Sequence, residues 1–475
     1  MQAVAGLDIG STSIKMLVTT LDGRELLVEH NPSPWTTFAQ GHTQMSADDM
    51  LGSIFQLFER ASSRLQARFD DYQIAGIGVS GMAEAGVLLD ESGSVAAPIM
   101  AWFDPRGKDE ILATPRAFQD EFWGTTGLPV GPLVTIAKLL HLKSMGVELV
   151  GHRWLNLPEF VVHRLGGRIV TEYSLASRTG LLDQDSARPW QQALDLLGVT
   201  ADFLPELVSA GDVIGKADHP ALPSGFRGAR LTVAGHDQLV SAVAAGATTS
   251  DQIYDSMGTA EAMVRILDGQ LPFDARERLA RAGINALRHV IPNKYVLLAG
   301  TKSGLIMRRV FQMLGISNAT ERDAIDEATM RLPVDGEAAR GSIEVTGARN
   351  DDGVLQIRVS GDGVAPAEIF AATLLHGNDM CAELIEVMDR EVPPATSTLL
   401  TGGWARMPSV RRARTHVLPD VSYSNRSEDT AFGAALFGAY AASRDGAGSA
   451  REFTGFAANF CNQAASISIH GRSRK

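Results

Sequence analysis

Two short runs of the sequence combine carboxylates, hydroxyls and glycines at spacings that suit phosphate chemistry. The first contains Asp8, Gly10, Ser11, Thr12, Ser13 and Lys15. A tight turn between two strands points successive N–H groups into one concavity, where they can bind a phosphate. An aspartate at the strand end can hold a hydrated Mg²⁺. The alternative is an ordinary hairpin with Lys15 facing solvent.

The second run repeats this pattern about half a chain later, with Asp255, Gly258 and Thr259 followed by Ala260. Two such turns could hold a polyphosphate from both sides, which strengthens the phosphate interpretation of the first. The repeat also predicts two related halves, because internal similarity at a long period indicates duplication. Coincidence between two short motifs is the alternative.

Asp237 stands between a predicted strand and a predicted helix rich in small residues, in the run Gly235-His236-Asp237-Gln238. A carboxylate there can take the proton of an attacking hydroxyl during phosphoryl transfer. The alternative is that Asp237 caps the helix.

A glycine pair follows another predicted strand, and the run comprises Gly402, Gly403, Trp404 and Arg406. Glycines let a backbone approach a flat ring or a phosphate closely. The alternative is a plain strand-to-helix turn. The sequence contains no P-loop motif, no protein-kinase signature set and no H-E-x-x-H zinc motif.

Apolar patterns predict the elements that must position these residues. Strands are predicted at residues 3–8, 14–19, 74–79, 231–234, 253–255, 263–267 and 399–401. Helices are predicted after Ser46 and at residues 238–247, 303–314, 321–331, 366–389 and 430–442. The tail after Ser443 shows little periodicity, which indicates partial disorder.

The composition of the chain excludes several classes of protein. The chain has 475 residues, a net charge of −12 and two cysteines. Negative charge argues against a nucleic-acid protein, and two distant cysteines exclude a disulfide framework. The start lacks a signal-peptide pattern and apolar stretches are short, so we expect a cytoplasmic protein without membrane spans.

In combination, these runs resemble the FGGY carbohydrate kinases, within the actin and sugar-kinase superfamily. The segments that carry the resemblance are residues 8–15, 77–81, 88–90, 101–106, 234–237, 256–260, 402–406 and 431–435. The resemblance implies an α/β fold of two duplicated ribonuclease-H-like (actin-like ATPase) domains flanking a central cleft. Residues 1–246 would bind sugar and carry the base, and residues 247–475 would bind nucleotide.

The resemblance also implies an activity, which is transfer of the ATP γ-phosphate to a sugar or polyol hydroxyl. Asp237 would be the base and Asp8 would position Mg²⁺. The two turns would bind phosphates, and the run at Gly402 would hold adenosine. Sugar or polyol and ATP would be the partners, with a homodimer as an expected state. A nucleotide-switch protein and a sugar sensor without catalysis are the alternatives.

Substrate choice is expected to depend on Met82, Ala83, Glu84, Trp102, Asp104 and Gln238. Glycerol kinases typically have Gln-Arg-Glu where this chain has Met82-Ala83-Glu84, so the sequence predicts more room and one donor fewer. Glu84 favours a neutral ketose or polyol of four to six carbons, xylulose-like pentuloses above all, over glycerol or gluconate. Alternatively, Glu84 pairs with Arg106 and touches no substrate.

Overall fold

The computed structural model describes residues 1–333, 341–349, 354–424, 426, 428–444 and 450–471. Its strands, in chain order, are β1 Gln2–Ile9, β2 Ser13–Thr20, β3 Glu25–Pro32, β4 Thr36–Thr37, β5 Thr43–Met45, β6 Gln73–Gly81, β7 Gly86–Leu89, β8 Ile99–Met100, β9 Arg153–Asn156, β10 Val170–Glu172, β11 Leu182–Asp183, β12 Arg188–Pro189, β13 Glu206–Val208, β14 Gly215–Lys216, β15 Arg230–His236, β16 Gln252–Met257, β17 Glu261–Leu267, β18 Asn285–Arg288, β19 Tyr295–Thr301, β20 Ile343–Thr346, β21 Gln356–Val359, β22 Ser397–Thr401 and β23 Val421–Tyr423. The α-helices are α1 Ala47–Gln66, α2 Lys108–Leu112, α3 Arg116–Thr126, α4 Thr135–Ser144, α5 Leu157–Arg164, α6 Tyr173–Ala176, α7 Gln191–Leu197, α8 Asp237–Ala245, α9 Phe273–Arg281, α10 Ser303–Met313, α11 Ala319–Met330, α12 Pro366–Asp389, α13 Pro408–Arg414, α14 Asp429–Ala442 and α15 Ala450–Gly471.

Each half of the chain folds around a six-stranded sheet. The first sheet has the order β14-β15-β6-β1-β2-β3, and the second has the order β18-β19-β17-β16-β22-β23. In both, an antiparallel hairpin (β1/β2 or β16/β17) is extended by an antiparallel strand on one side and two parallel strands on the other. Five strands thus share one topology, and the prediction of a duplicated α/β fold is confirmed.

Local sequence explains the first elements. Strand β1 is almost entirely buried because helices cover both faces of its sheet, and buried parallel strands are continuously apolar. Helix α1 begins where predicted, since the Ser46 side chain accepts hydrogen bonds from the N–H groups of Asp48 and Asp49.

The two sheets and their helices form alternating layers. Apolar residues of α1 and α5 pack on one face of the first sheet. Helices α8 and α14 lie between the two sheets, and α9, α10, α12 and α13 cover the far face of the second. Helix α14, near the end of the chain, therefore packs on the first sheet, and the boundary between residues 246 and 247 stays a prediction.

Glycines allow α14 to lie unusually close to the first sheet. A Cβ atom placed on Gly6 would lie 2.0 Å from the carbonyl oxygen of Ala431, and one on Gly78 would lie 2.0 Å from that of Ala434. Only residues without side chains fit at such contacts. The small residues of β1, β6 and α14 are therefore a packing requirement.

Much of the tail after Ser443, for which the sequence predicted partial disorder, is helical, while residues 445–449 and 472–475 lie outside the described residues. Residues Ala450–Gly471 form helix α15, in which Phe453, Ala457 and Phe460 are buried. These three positions have helical spacing, and the Phe453 ring stacks on Phe437 of α14 with centroids 4.6 Å apart. The apolar positions were present in the sequence, but their partners on α14 were not visible there.

Among the helices that the structure describes, none combines the length and apolar character needed to cross a membrane.

Candidate active site

Three neighbouring parallel strands bring the predicted catalytic residues to one edge of the first sheet. In the register of β1, β6 and β15, Asp8 lies beside Ser80, and Ser80 lies beside Gly235. Adjacent strands are about 4.8 Å apart, so the carboxyl ends of β1 and β15 are close neighbours. Asp237 is near enough to Asp8 for its negative charge to act on the Asp8 carboxylate.

Asp8 is a buried carboxylate whose Oδ1 has no hydrogen-bond partner among the described residues. Burial, reinforced by the negative charge of Asp237, raises its pKa to about 8. Such an orphaned carboxylate oxygen fits Mg²⁺, which usually takes one or two protein carboxylates and completes its shell with water and phosphates. Within the described residues no cluster of three or more His, Cys, Asp or Glu side chains could enclose a metal.

Asp237 is the first residue of α8, and His236 occupies the N-cap position. Its Oδ1 accepts a hydrogen bond of 2.7 Å from the N–H of Gln238 and lies 3.2 Å from Nε2 of His236. The alternative that Asp237 caps the helix is therefore wrong, since Asp237 lies inside the first turn, and its side chain is 21% exposed. Burial is the main cause that raises its pKa to about 6.

A buried network that the sequence did not indicate holds the segment before Asp237. Ser174 Oγ accepts from the N–H of His236 at 3.1 Å and donates to Glu172 at 2.5 Å. The N–H of Glu172 donates to Glu159. Gly235 has φ +103°, and a Cβ there would lie 2.7 Å from Ser174 Oγ. In the sequence, only the polar residues within 172–179 could have indicated this hydrogen-bond network.

Hydrogen bonds to its carbonyl groups fix the conformation of the first predicted phosphate turn, which follows β1. Ser33 Oγ donates to the carbonyl of Gly10, and Trp35 Nε1 donates to that of Ser11 at 2.8 Å. The N–H groups of Ser11 and Thr12 donate to no described residue, so they are available to an anion. Ser13 begins β2, at the end of the turn.

Lys15 does not face open solvent as the hairpin alternative supposed. Its Nζ lies 2.6 Å from Oε2 of Glu428, just before α14. To bind ATP as predicted, Lys15 would have to contact a phosphate group while its Nζ stays next to the Glu428 carboxylate.

The second predicted turn lies at the corresponding edge of the second sheet. Gly258 N–H donates to the carbonyl of Ala260, while the N–H groups of Thr259 and Ala260 have no acceptor among the described residues. Glu261, directly after the turn, is held by a 2.5 Å ion pair with buried Arg414. The sequence did not single out this pair.

The run at Gly402 lies next to the second turn, since Ser256 of β16 pairs with Thr401 of β22. A Cβ on Gly402 would lie 2.4 Å from the carbonyl of Met257, and both Gly402 and Gly403 are exposed. Trp404 packs on Phe311 with centroids 5.3 Å apart, and Arg406 is exposed. The glycine pair thus stands at the end of β22, beside the second turn.

The predicted sugar-site turn is buried and carries an unexpected partner. Met82, Ala83 and Glu84 are all buried, and Glu84 pairs with Arg178, which follows α6. Arg106 pairs instead with Asp104. The alternative that Glu84 pairs with Arg106 is therefore wrong, while the loss of one donor at position 83 stays a prediction.

Asp104 is fully buried and accepts hydrogen bonds from the Arg106 side chain and from the N–H of Thr43 at 2.6 Å. Buried Lys138 donates to the carbonyls of Trp102 and Pro132. Burial lowers the pKa of Lys138 to about 8. Gln238 is half-buried at the start of α8.

The model of the FGGY family of carbohydrate kinases, N-terminal domain, matches residues 3–244, which is half of the chain. The chain belongs to the FGGY family of carbohydrate kinases. This FGGY protein is 26% identical over 273 residues to the L-fuculokinase of Escherichia coli, and the match covers 55% of this chain and 56% of that protein. It is 22% identical over 467 residues to the gluconokinase of Bacillus subtilis, covering 92% and 87% of the two chains.

Solved structures agree on the fold of this FGGY protein. A xyloylose kinase from Brucella ovis aligns with a TM-score of 0.81 at 18% identity over all of both chains. The ligand-bound xylulose kinase from Lactobacillus acidophilus aligns with a TM-score of 0.81 at 16% identity, over 100% and 99%. The predicted fold of two duplicated actin-like ATPase domains with a cleft is therefore confirmed.

Proposed function

We propose that this protein is an ATP-dependent carbohydrate kinase that phosphorylates a hydroxyl of a neutral ketose or polyol. The observation that carries the proposal is the placement of Asp237 near Asp8, at a sheet edge flanked by a turn with free N–H groups and a buried polar pocket. The names of relatives, which include L-fuculokinase, xylulose kinase and gluconokinase, support the same reaction class.

The proposed reaction uses Asp237 as general base. The substrate hydroxyl gives its proton to the Asp237 carboxylate while its oxygen forms a bond to the γ-phosphorus of ATP. The bond from that phosphorus to the β,γ-bridging oxygen breaks, and ADP leaves. Such proton transfer contributes about 10²–10⁴-fold to a rate.

The remaining site residues bind and orient in this proposal. Asp8 would hold Mg²⁺, which neutralises phosphate charge when bound. The N–H groups of Ser11, Thr12 and Thr259 would bind phosphate oxygens. Gly402 and Gly403 would lie against adenosine, with Trp404 and Arg406 beside them.

Charge balance in the pocket favours a neutral substrate. Glu84 is paired with Arg178, and Asp104 is paired with Arg106. Lys138 is a further buried cation, and Asp8 and Asp237 are further carboxyl groups. An acid such as gluconate would add a negative charge to a site in which Lys138 faces two carboxyl groups already, and burying an unbalanced charge is unfavourable. A five-carbon ketose is the favoured candidate.

A coupled assay of ADP release over ketoses, alditols, glycerol and gluconate tests the proposal. We expect sugar-dependent ADP release with at least one four- to six-carbon ketose or polyol. Sugar-independent release alone would favour a nucleotide switch, and no release with sugar binding would favour a sensor. Efficient turnover of gluconate or glycerol would contradict the substrate class.

A further inference from the structure

Arg178 occupies the buried pocket beside the predicted base, although no sequence motif marked it. It follows the short helix α6, whose preceding residue Glu172 belongs to the network behind His236. Its side chain is 13% exposed and that of Glu84 is 5% exposed. Both side chains therefore interact in a largely water-excluded place.

The ion pair leaves some hydrogen-bond donors of Arg178 and one carboxylate oxygen of Glu84 without a partner among the described residues. The Nε and Nη2 atoms of Arg178 both contact Oε1 of Glu84. The Nη1 atom of Arg178 is buried without a hydrogen-bond partner among the described residues. No described residue donates to Oε2 of Glu84. A buried guanidinium N–H without an acceptor is unfavourable unless a ligand supplies one.

The backbone conformation of Glu84 indicates that the surrounding structure holds its side chain in this position. Glu84 has φ +61°, in the left-handed region that residues with side chains rarely adopt. Such conformations persist only where surrounding structure enforces them, and they cluster at ligand sites. Neighbouring Met82 and Ala83 are buried, so the turn is held on both sides.

The pair also lies within electrostatic reach of the predicted base. The charges of Glu84 and Arg178 both act on Asp237. A ligand that contacts the pair would therefore extend toward the carboxylate that accepts the proton.

We propose that Arg178 is a specificity-determining residue that, with Glu84, recognises a carbonyl beside a hydroxyl, the α-hydroxyketone unit of an open-chain ketose. This inference rests on the proposed kinase function. The free N–H groups of Arg178 donate to the carbonyl oxygen, which can only accept, and Oε2 of Glu84 accepts from the neighbouring hydroxyl. The matching alditol has a hydroxyl in place of the carbonyl, and it can accept from the guanidinium only when its own hydrogen points away from Arg178, toward another acceptor.

The experiment compares five-carbon ketoses with the alditols formed by reducing their carbonyl groups. The wild-type enzyme is expected to favour the ketose by about 10- to 100-fold in kcat/KM, the range of one hydrogen bond to a charged group. In Arg178→Lys the ratio should fall toward one, because a lysine loses the planar fork of donors. The KM for ATP should remain unchanged.

Two further variants keep the test decisive. Arg168→Lys changes an arginine in the exposed pair with Glu206 and should leave the ratio at its wild-type value. If Arg178→Lys does not fold, Glu84→Gln should reduce the same ratio, because the uncharged amide no longer holds the Arg178 guanidinium that donates to the carbonyl. A structural role alone would lower thermal stability without changing the ratio.

The outcomes separate the two proposals. If the wild type phosphorylates no sugar in the panel, the kinase function fails. If it phosphorylates ketose and alditol equally well, or if folded Arg178→Lys keeps the preference, the kinase function stands and the role of Arg178 is overturned.

Discussion

At the scale of single residues, the two central carboxylates differ in their surroundings. Asp8 is more completely enclosed, and burial with the negative charge of Asp237 raises its pKa to about 8. Asp237 receives a hydrogen bond from the N–H of Gln238 and feels the positive charge of Arg178, so burial raises its pKa only to about 6. The two groups are proposed to have different tasks, with Asp237 accepting a proton and Asp8 binding a metal, which requires the Asp8 carboxyl to lose its proton when the cation binds.

The role of Asp237 can be tested by removing its basicity alone. Asp237→Asn should keep the fold and ATP binding but lower kcat by about 10²–10⁴-fold, because the amide cannot take a proton. Asp49→Asn, in the exposed first turn of α1, is the matched control and should keep normal kcat. Near-normal turnover in Asp237→Asn would leave Asp237 as a helix-turn residue only.

The pH dependence of kcat/KM for the sugar follows from the same group. A base works only when deprotonated, so kcat/KM should fall about tenfold per pH unit below the pKa of about 6 and be level above it. A pH–rate profile at sugar concentrations well below KM measures this. The same fall in the residual activity of Asp237→Asn would assign the titration to another group.

At the scale of elements, the close approach of α14 to the first sheet fixes the layer between the two sheets. Glycines of β1 and β6 face backbone atoms of the helix, so no side chain can be accommodated without movement. Helix α8, which begins at Asp237, lies in the same layer and packs against α14, where a Cβ on Gly433 would lie 2.5 Å from the carbonyl of Val240. The packing of α14 thus supports the position of the predicted base.

A pair of glycine-to-alanine variants tests this packing. Gly78→Ala should destabilise the protein by about 1–3 kcal/mol or more, since the new methyl would overlap the Ala434 carbonyl. Gly52→Ala, exposed in α1 with no atom within 4 Å of its Cβ, should stabilise by about 0.5–1 kcal/mol. Thermal unfolding followed by circular dichroism measures both. Equal shifts in the two variants would contradict the close-packing argument.

At the scale of the whole molecule, the two halves meet along a second contact beside the α8 and α14 layer. Buried Arg276 of α9 donates to the carbonyl of Gly124 and pairs with Asp185 at 2.8 Å. The N–H of Ala286 donates to the carbonyl of Gly127. These contacts hinder sliding, so relative motion of the halves is expected to be rotation.

Closure around the ligands should therefore be a hinge movement near residues 245–251, where α8 ends at Gly246 with φ +96° and the chain enters the second sheet. Small-angle scattering with sugar and a non-hydrolysable ATP analogue should give a smaller radius of gyration than the free protein. Each ligand alone serves as a control. An unchanged radius in all states would count against closure.

Local patterns in the sequence predicted part of the elements and the order of the candidate site runs. Strand β1, helix α12 and the glycine turns follow from apolar period, capping and turn chemistry, which act between near neighbours. Asp8 and Asp237 could be proposed because each follows a recognisable strand. Their roles, and those of the other site residues, stay predictions.

Only the tertiary structure decided which distant side chains meet. Arg178 and Glu84 are 94 positions apart, and Lys15 and Glu428 are 413 apart. Helix α14 reaches the first sheet from the far end of the chain, and α15 packs on both α14 and α8. Such contacts depend on how the chain crosses between the two sheets, and short-range patterns carry no record of that path.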